Sequence, residues 1–146
     1  ETEPLDVGEA VAAAVRPYQG GNGPTIRIEV PPLPPVLADA SRLQQILRNL
    51  LDNAHRHSPA DGAILISATR EASRVEISVS DSGPGIEPER REALLQRGVR
   101  GDERVEGHGL GLALVQELVD AYSGEMKIGE SPLGGAAVEV KIPPTL

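Results

Sequence analysis

Apolar side chains recur at helical spacing in three long stretches of the chain. Across residues 39–57 they gather on one side, at about 100° per residue, at Leu43, Leu47, Leu50, Leu51 and Ala54. Residues 5–15 have a similar spacing, which Pro17 stops because proline disfavours helix in the residue before it. The third stretch is 110–122, and a shorter one covers 88–95. The pattern therefore predicts three main helices.

Alternation of apolar and polar residues predicts strands elsewhere. It occurs over 26–30, 63–69, 74–80, 125–128 and 136–142. The second and third runs are joined by a short polar link, which is typical of a hairpin. A proline-rich segment, 31–35, can join neither a sheet ladder nor a helix interior and is expected to be an extended connector. Because strands and helices interleave, we expect one domain in which helices cover a sheet.

The composition removes several classes of function. The chain of 146 residues has 14 Lys and Arg against 22 Asp and Glu, and this net charge of −8 argues against a nucleic-acid-binding protein. Cysteine is absent, which excludes disulfides, thiolate metal sites and cysteine nucleophiles. No apolar run approaches the roughly 20 residues that span a bilayer, and the start is unlike a signal peptide. We therefore expect a soluble, cytoplasmic domain.

The long predicted helix has a distinctive polar side. Asn49, Asp52, Asn53 and Arg56 follow an i, i+3, i+4, i+7 spacing and share a face that is rotated away from the leucines. Amide oxygens can hold a hard cation, and an arginine fork can hold phosphate, so the combination suits a metal nucleotide. The competing interpretation is a polar face that simply meets solvent.

Two glycine-bearing segments supply further candidates. Asp81 directly follows a predicted strand, and its carboxylate could accept from the exocyclic amino group of a base. Gly83 and Gly85 come next and would let the backbone approach a ring closely. Residues 107–111 read Gly-His-Gly-Leu-Gly and open the third helix, where free backbone amides favour phosphate. Taken alone, each segment also fits an ordinary turn or helix start.

The order of these three signals resembles the N, G1 and G2 boxes of the ATP-binding superfamily of histidine kinases, gyrase, Hsp90 and MutL, the Bergerat fold. Segments 43–54 and 107–115 are most similar to bacterial sensor histidine kinases, and the resemblance spans about 38–143. The richness in Ala, Gly and Pro resembles actinobacterial members of the PrrB type. This resemblance implies an α/β (α+β) two-layer sandwich with a mixed, mostly antiparallel sheet of about five strands, covered on one face by about three helices.

The resemblance also implies a functional division within one ATP-binding kinase domain, 1–146. An initial helix, 1–18, would follow a dimerisation hairpin that the sequence lacks. The remaining segments are the N-box helix at 39–58, the G1 box at 81–86, the ATP lid at 96–109, and the G2 box with its helix at 107–122.

A nucleotide site follows from the resemblance, residue by residue. Asn53 matches the amide that holds Mg²⁺, and Asn49 lies beside it. Arg56 and Arg100 match cations that contact phosphate and serve catalysis. His57 stands where the family often has Tyr and would stack on the nucleoside. The other matching positions are Asp81, Gly83, Gly85 and Ile86 around adenine and Gly107, His108, Gly109, Leu110 and Gly111 beside the phosphates.

The sequence departs from the family pattern at two places. The F-box, 95–100, lacks both of its usual Phe residues, so we expect a more mobile lid. Asn49 stands where the ATPase branch has a Glu that acts as general base, and an amide cannot accept a proton at neutral pH. Efficient ATP hydrolysis is therefore not expected. Residues 134–136 resemble the last glycine motif before the final strand.

The activity that the resemblance implies is ATP-dependent protein-histidine kinase activity in two-component signal transduction. The domain would bind Mg²⁺ and ATP and transfer the γ-phosphoryl to a histidine on a separate dimerisation and phosphoacceptor hairpin, with a response regulator as the indirect partner. His55, His57 and His108 lack an H-box context, so we do not expect this chain to phosphorylate itself. We expect the isolated domain to be monomeric, on the cytoplasmic side of a membrane-anchored sensor.

Two alternatives remain open. One is an anti-sigma-type protein serine kinase, although such kinases resemble the Glu-bearing form at the position of Asn49. The other is a non-catalytic nucleotide-sensing module, suggested by His57 and by the missing F-box aromatics.

Overall fold

The computed structural model describes residues 3–21, 23–71, 74–83, 107–121 and 123–142. The elements within them are, in chain order, β1 (Glu3–Leu5), α1 (Val7–Val15), a 3-10 helix (Arg16–Tyr18), β2 (Thr25–Glu29), β3 (Val36–Ala38), α2 (Ala40–His57), β4 (Ala63–Glu71), β5 (Arg74–Asp81), α3 (Gly107–Ala121), β6 (Glu125–Glu130) and β7 (Ala136–Ile142). Among these residues no helix combines the length and the apolar character needed to cross a membrane.

Five of the strands form the main sheet, in the order β2-β4-β5-β7-β6. β2 runs parallel to β4, and the other neighbouring pairs are antiparallel. β4 and β5 form the predicted hairpin, in which Ile64 pairs with Asp81. The predicted two-layer fold, with a mostly antiparallel sheet of five strands and three covering helices, is confirmed.

The core lies between the sheet and α2. This helix begins where the Asp39 side chain accepts a hydrogen bond from the Arg42 amide at 3.1 Å, and it packs against α1, α3 and β5. Its predicted apolar face is confirmed, because every member is buried: Leu43, Leu47, Leu50, Leu51 and Ala54. The largest fully buried side chains of the described residues are Leu, Ile and Val, so aliphatic packing dominates this core.

The first predicted helix starts later than its periodicity suggested. Leu5 belongs to β1, which pairs antiparallel with β3 in a small second sheet. Asp6 then caps α1 by accepting a hydrogen bond from the Glu9 amide at 3.0 Å, and an N-cap has extended rather than helical backbone. The helix ends before Pro17, as predicted, and a 3-10 helix follows. The apolar spacing at Leu5 therefore reflects pairing with β3 and not a helical turn.

The third helix begins at Gly107, three residues before the predicted start at Leu110. Its glycines are thus part of the helix and not of a preceding loop. Glycine is a poor helix former, and here the packing of Val115 and Val119, both fully buried, against the core outweighs that preference. The predicted helix at 88–95 and the lid up to residue 106 lie outside the described residues.

Candidate nucleotide site

The described candidate site residues lie mainly on or next to three elements, one of which packs against the other two. α2 carries Asn49, Asn53 and His57, the end of β5 carries Asp81, and α3 begins with the glycine segment. α2 packs against both β5 and α3, so the boxes that are far apart in sequence adjoin the same helix. Gly85, Ile86 and Arg100 lie outside the described residues.

Asp81 is the buried carboxylate of this region, with only 3% of its surface exposed. Its Oδ1 accepts hydrogen bonds from two backbone amides, that of Gly83 at 2.9 Å and that of Ala136 at 3.1 Å. Its carbonyl oxygen accepts from the Gly135 amide at 3.1 Å. The start of β7 therefore holds both the backbone and the side chain of Asp81.

Two glycines allow this arrangement by their lack of a side chain. A Cβ at Gly135 would overlap Oδ1 of Asp81 and lie 2.6 Å from the Gly83 amide nitrogen. A Cβ at Gly83 would overlap the carbonyl oxygen of His57 at the end of α2. The close approach of α2, the start of β7 and the G1 turn, residues 81–83, thus depends on glycine at both positions.

The G1 turn is also tied to the segment that leads into β4. The Ser82 hydroxyl oxygen accepts a hydrogen bond from the Ala63 amide at 2.9 Å. A Cβ at Gly62 would overlap that same hydroxyl oxygen. Asp81 therefore sits on a backbone frame fixed from both neighbouring strands, β4 and β7.

Asn53 is buried on α2, with 4% of its surface exposed. Its Oδ1 is fully buried and has no hydrogen-bond partner among the described residues. One helical turn earlier, Nδ2 of the half-buried Asn49 is in the same condition. Buried polar atoms are normally paired, so an unpaired carboxamide oxygen is a candidate ligand for a molecule from outside the chain.

Asp52 points to a different environment from Asn53. It is exposed and accepts a hydrogen bond from the Tyr18 hydroxyl. The Tyr18 ring also contacts His55, with ring centroids 5.1 Å apart and planes inclined by 42°. Burial, followed by the hydrogen bond and the charge of Asp52, raises the pKa of Tyr18. The predicted common polar face of α2 therefore divides into a buried amide side and an outer side that holds the 3-10 helix.

The remaining described candidates lie at the end of α2 and at the start of α3. Arg56 is exposed on the last turn of α2, and His57 is half-buried with its carbonyl oxygen next to Gly83. Residues 107–111 form the first turns of α3, so the backbone amides at that helix start have no acceptor within the helix. Such amides can donate to an anion.

The sequence did not predict the hydrogen bond from the Ala136 amide, at the start of β7, to Asp81. Residues 134–136 resembled a glycine motif, but nothing in their spacing indicated a contact with a residue 55 positions earlier. The link between Tyr18 and Asp52 was missed for the same reason, because these residues are 34 positions apart and β2, β3 and the start of α2 lie between them.

The chain matches the family of histidine kinase-, DNA gyrase B- and HSP90-like ATPases over residues 38–146. It belongs to this family. The match covers most of the chain, including every segment from β3 onward that carries a candidate site residue.

The curated relatives that the chain matches include sensor kinases. It is 42% identical over 105 residues to the sensor protein kinase CarS of Pseudomonas aeruginosa, a match that covers 72% of this chain and 23% of CarS. It is 35% identical over 123 residues to the adaptive-response sensory kinase SasA of Synechocystis, covering 82% of this chain and 32% of SasA. The chain therefore spans about a quarter to a third of these relatives.

Solved structures of this ATPase family have the same architecture. The mycobacterial sensor histidine kinase MprB is 27% identical with a TM-score of 0.81, and the match covers 98% of this chain and 97% of that one. Full-length ShkA in complex with AMPPNP is 34% identical with a TM-score of 0.81, covering 98% of this chain and 31% of that one. The ATP-binding domain of PrrB from Mycobacterium tuberculosis, at 24% identity and a TM-score of 0.74 over 98% of this chain and 97% of that one, shares the fold.

Proposed function

We propose that this chain is the catalytic domain of a sensor histidine kinase, which binds Mg²⁺ and ATP and transfers the γ-phosphoryl to a histidine on a separate hairpin domain. The observation that carries the proposal is the buried Oδ1 of Asn53, which has no hydrogen-bond partner among the described residues and lies on the helix whose last residue, His57, adjoins Gly83. The family membership and the sensor-kinase relatives support the same function.

The adenine end of the proposed site is Asp81. Both backbone amides that reach this side chain donate to Oδ1, so among the described residues Oδ2 receives no hydrogen bond. An ionised carboxylate is a pure acceptor, which suits the 6-amino group of adenine. His57 and Gly83 flank this position, and His57 is proposed to stack on the nucleoside.

The phosphate end of the proposed site lies between Asn53 and the start of α3. The carboxamide oxygen of Asn53 fits a Mg²⁺ ion that is bound mainly by phosphate oxygens and water, because Mg²⁺ prefers oxygen ligands and keeps few protein contacts. Within the described residues no three His, Asp or Glu side chains gather into a metal cluster of their own. When bound, the ion would neutralise charge on the transferring phosphoryl group.

The chain's own contribution to phosphoryl transfer is position and charge. The amides at the start of α3 would donate to the phosphate chain, and the exposed Arg56, with Arg100, would supply positive charge. Asn49 cannot accept a proton at neutral pH, so water at this site is not activated and the phosphoryl group is reserved for the acceptor imidazole. The response regulator receives it afterwards. The parent protein is proposed to be a membrane sensor with this domain on its cytoplasmic side.

The test is phosphoryl transfer to the supplied partner. The chain is incubated with γ-labelled ATP, Mg²⁺ and the separately produced histidine hairpin of the parent protein, and labelled phosphohistidine is measured. We expect label on the hairpin and none on this chain, and we expect its loss with Asn53→Ala. The exposed Gln45→Ala variant on the same helix is the matched control and should retain transfer. Nucleotide binding without transfer to the hairpin would favour a nucleotide-sensing module instead.

A further inference from the structure

We infer that Gly135 and the Ala136 amide set the purine specificity of the site, because they fix which group Asp81 presents to the base. This inference rests on the proposed nucleotide function. It concerns how the Asp81 carboxylate is oriented by the backbone of Gly135 and of Ala136, the first residue of β7.

The first step is that one carboxylate oxygen is already committed. The amides of Gly83 and Ala136 approach Oδ1 from two different strands' ends, at 2.9 and 3.1 Å. Both amides are hydrogen-bond donors, so the atom that lies between them must be a hydrogen-bond acceptor. The second oxygen of Asp81 must then be the one that faces a ligand.

Gly135 limits the rotation of the Asp81 carboxylate. Its Cα lies against the carboxylate so closely that an added Cβ would overlap Oδ1. The backbone of Gly135 is outside the left-handed region, so alanine is tolerated by the backbone itself at this position. A methyl group there would displace the Asp81 carboxylate, and it would also press on two backbone atoms, the Gly83 amide nitrogen at 2.6 Å and the Asp81 carbonyl oxygen at 2.7 Å.

The third step is chemical. An oriented acceptor favours a base that offers an N–H at this position, as the 6-amino group of adenine does. It disfavours a 6-oxo purine, whose oxygen would face the carboxylate oxygen. One hydrogen bond to a charged group changes affinity by roughly tenfold to a hundredfold. The Gly83 and Ala136 amides form a main-chain clamp, and this clamp thus determines whether the site prefers a 6-amino or a 6-oxo purine.

The clamp makes a specific prediction for Asp81→Asn. The two amides still require an acceptor, so the new carboxamide must place its oxygen toward them and its NH₂ toward the ligand. The site would then donate where it formerly accepted. We expect this variant to bind the inosine nucleotide more tightly than the adenosine nucleotide, which reverses the order of the unmodified protein.

The experiment compares the Mg²⁺ complexes of adenosine, inosine and purine riboside triphosphates by calorimetry. The unmodified chain should prefer adenosine over inosine by roughly tenfold or more, the size of one charged hydrogen bond. Gly135→Ala should reduce that ratio toward one, because its methyl group displaces the Asp81 carboxylate. Purine riboside triphosphate, which has no group at position 6, measures separately any effect that the shifted backbone has on the rest of the site. Gly129→Ala is the matched control, because a Cβ there meets nothing within 4 Å and should leave the ratio intact.

The possible failures are distinguishable. If the unmodified chain binds none of the three nucleotides, the proposed function and this inference are both overturned. If it prefers adenosine but Asp81→Asn keeps that order, the clamp does not orient residue 81 and only this inference is overturned. Circular dichroism of each variant establishes that it is folded. Should Gly135→Ala fail to fold, the near-isosteric Asp81→Asn variant still decides the question.

Discussion

Asp52 and Asn53 are adjacent on α2 and differ in almost every physical respect. Asp52 is exposed, and its carboxylate is engaged by the Tyr18 hydroxyl. Asn53 is 96% buried, yet its amide oxygen has no partner among the described residues. The charged residue, which water could solvate, is paired within the protein, whereas the buried amide oxygen, which needs a partner, has none in the described part of the chain.

The difference separates a structural polar residue from a functional one. Pairing Asp52 with Tyr18 fastens the 3-10 helix to α2 and costs little, because the pair stays near solvent. Burying an unpaired amide costs free energy, and a fold that retains it gains something elsewhere. In this chain the gain is proposed to be a ligand for the Mg²⁺ that accompanies ATP.

The largest expected effect is on nucleotide affinity. Replacing Asn53 with Ala removes the proposed metal ligand and should weaken Mg²⁺-dependent binding of a non-hydrolysable ATP analogue by about 100-fold, the scale seen when support for a metal site is lost. Asp52→Ala should leave that affinity unchanged, since its carboxylate faces Tyr18. Calorimetric titration of both variants checks the contrast. Equal losses in both would show that the two residues do not differ in role.

Asn49 extends the comparison to a second residue on the amide side. Asn49→Glu introduces a proton acceptor one turn before Asn53, and we expect slow ATP hydrolysis to rise about tenfold, a part of what a well-placed general base supplies. Phosphate release measured with the unmodified chain as reference tests this. An unchanged rate would mean that the bound phosphates are not within reach of position 49.

A smaller effect is expected on the stability of the ligand-free chain. Tyr18→Phe removes the hydrogen bond to Asp52 and should lower the free energy of unfolding by about 1 kcal/mol, the usual net value of such a bond. Urea denaturation followed by circular dichroism measures it, since the chain has no Trp. Nucleotide affinity should not change, and a large loss of affinity would contradict a purely structural role for the outer side of α2.

The smallest effect is a pH dependence at the alkaline end. The folded chain holds the Tyr18 proton more tightly than the unfolded chain, because burial and Asp52 raise its pKa. The contribution of this group to the free energy of unfolding is fully present below about pH 10, the ordinary pKa of tyrosine. It falls as the pH rises above that value, since only the unfolded state then releases the proton. Phenolate absorbance should show a late-titrating tyrosine that Tyr18→Phe abolishes and Asp52→Asn shifts to lower pH. Unchanged titration in Asp52→Asn would contradict the pairing.

Much of the fold could be predicted from sequence because its signals are local. The buried face of α2 and the β4–β5 hairpin follow from residue spacing and were predicted correctly. β1 could not be predicted, because three residues form a strand only through their pairing with β3, more than 30 positions later. Apolar spacing alone placed the start of α3 at Leu110, because glycines carry no apolar side chain, whereas the glycine segment that was expected to open the helix is part of it.

The candidate site divides in the same way. Asn53 and Asp81 were found from motif order, but their environments depend on contacts that the sequence does not encode locally. The position of Ala136 against Asp81 requires β5 and β7 to be neighbours in the sheet. The separation of Asp52 from Asn53 requires the 3-10 helix to fold back over α2, which brings Tyr18 to the outer side.

The most direct test of the central claim is thermal unfolding of the unmodified chain with a non-hydrolysable ATP analogue, in the presence and absence of Mg²⁺. At an analogue concentration about 100 times the dissociation constant, binding to the folded state should add about 2.7 kcal/mol. For a domain of this size that raises Tm by about 5 to 10 °C. We expect this rise with Mg²⁺ and a much smaller one without it. No rise at millimolar nucleotide with Mg²⁺ would contradict the proposal that Asn53 and Asp81 form a nucleotide site.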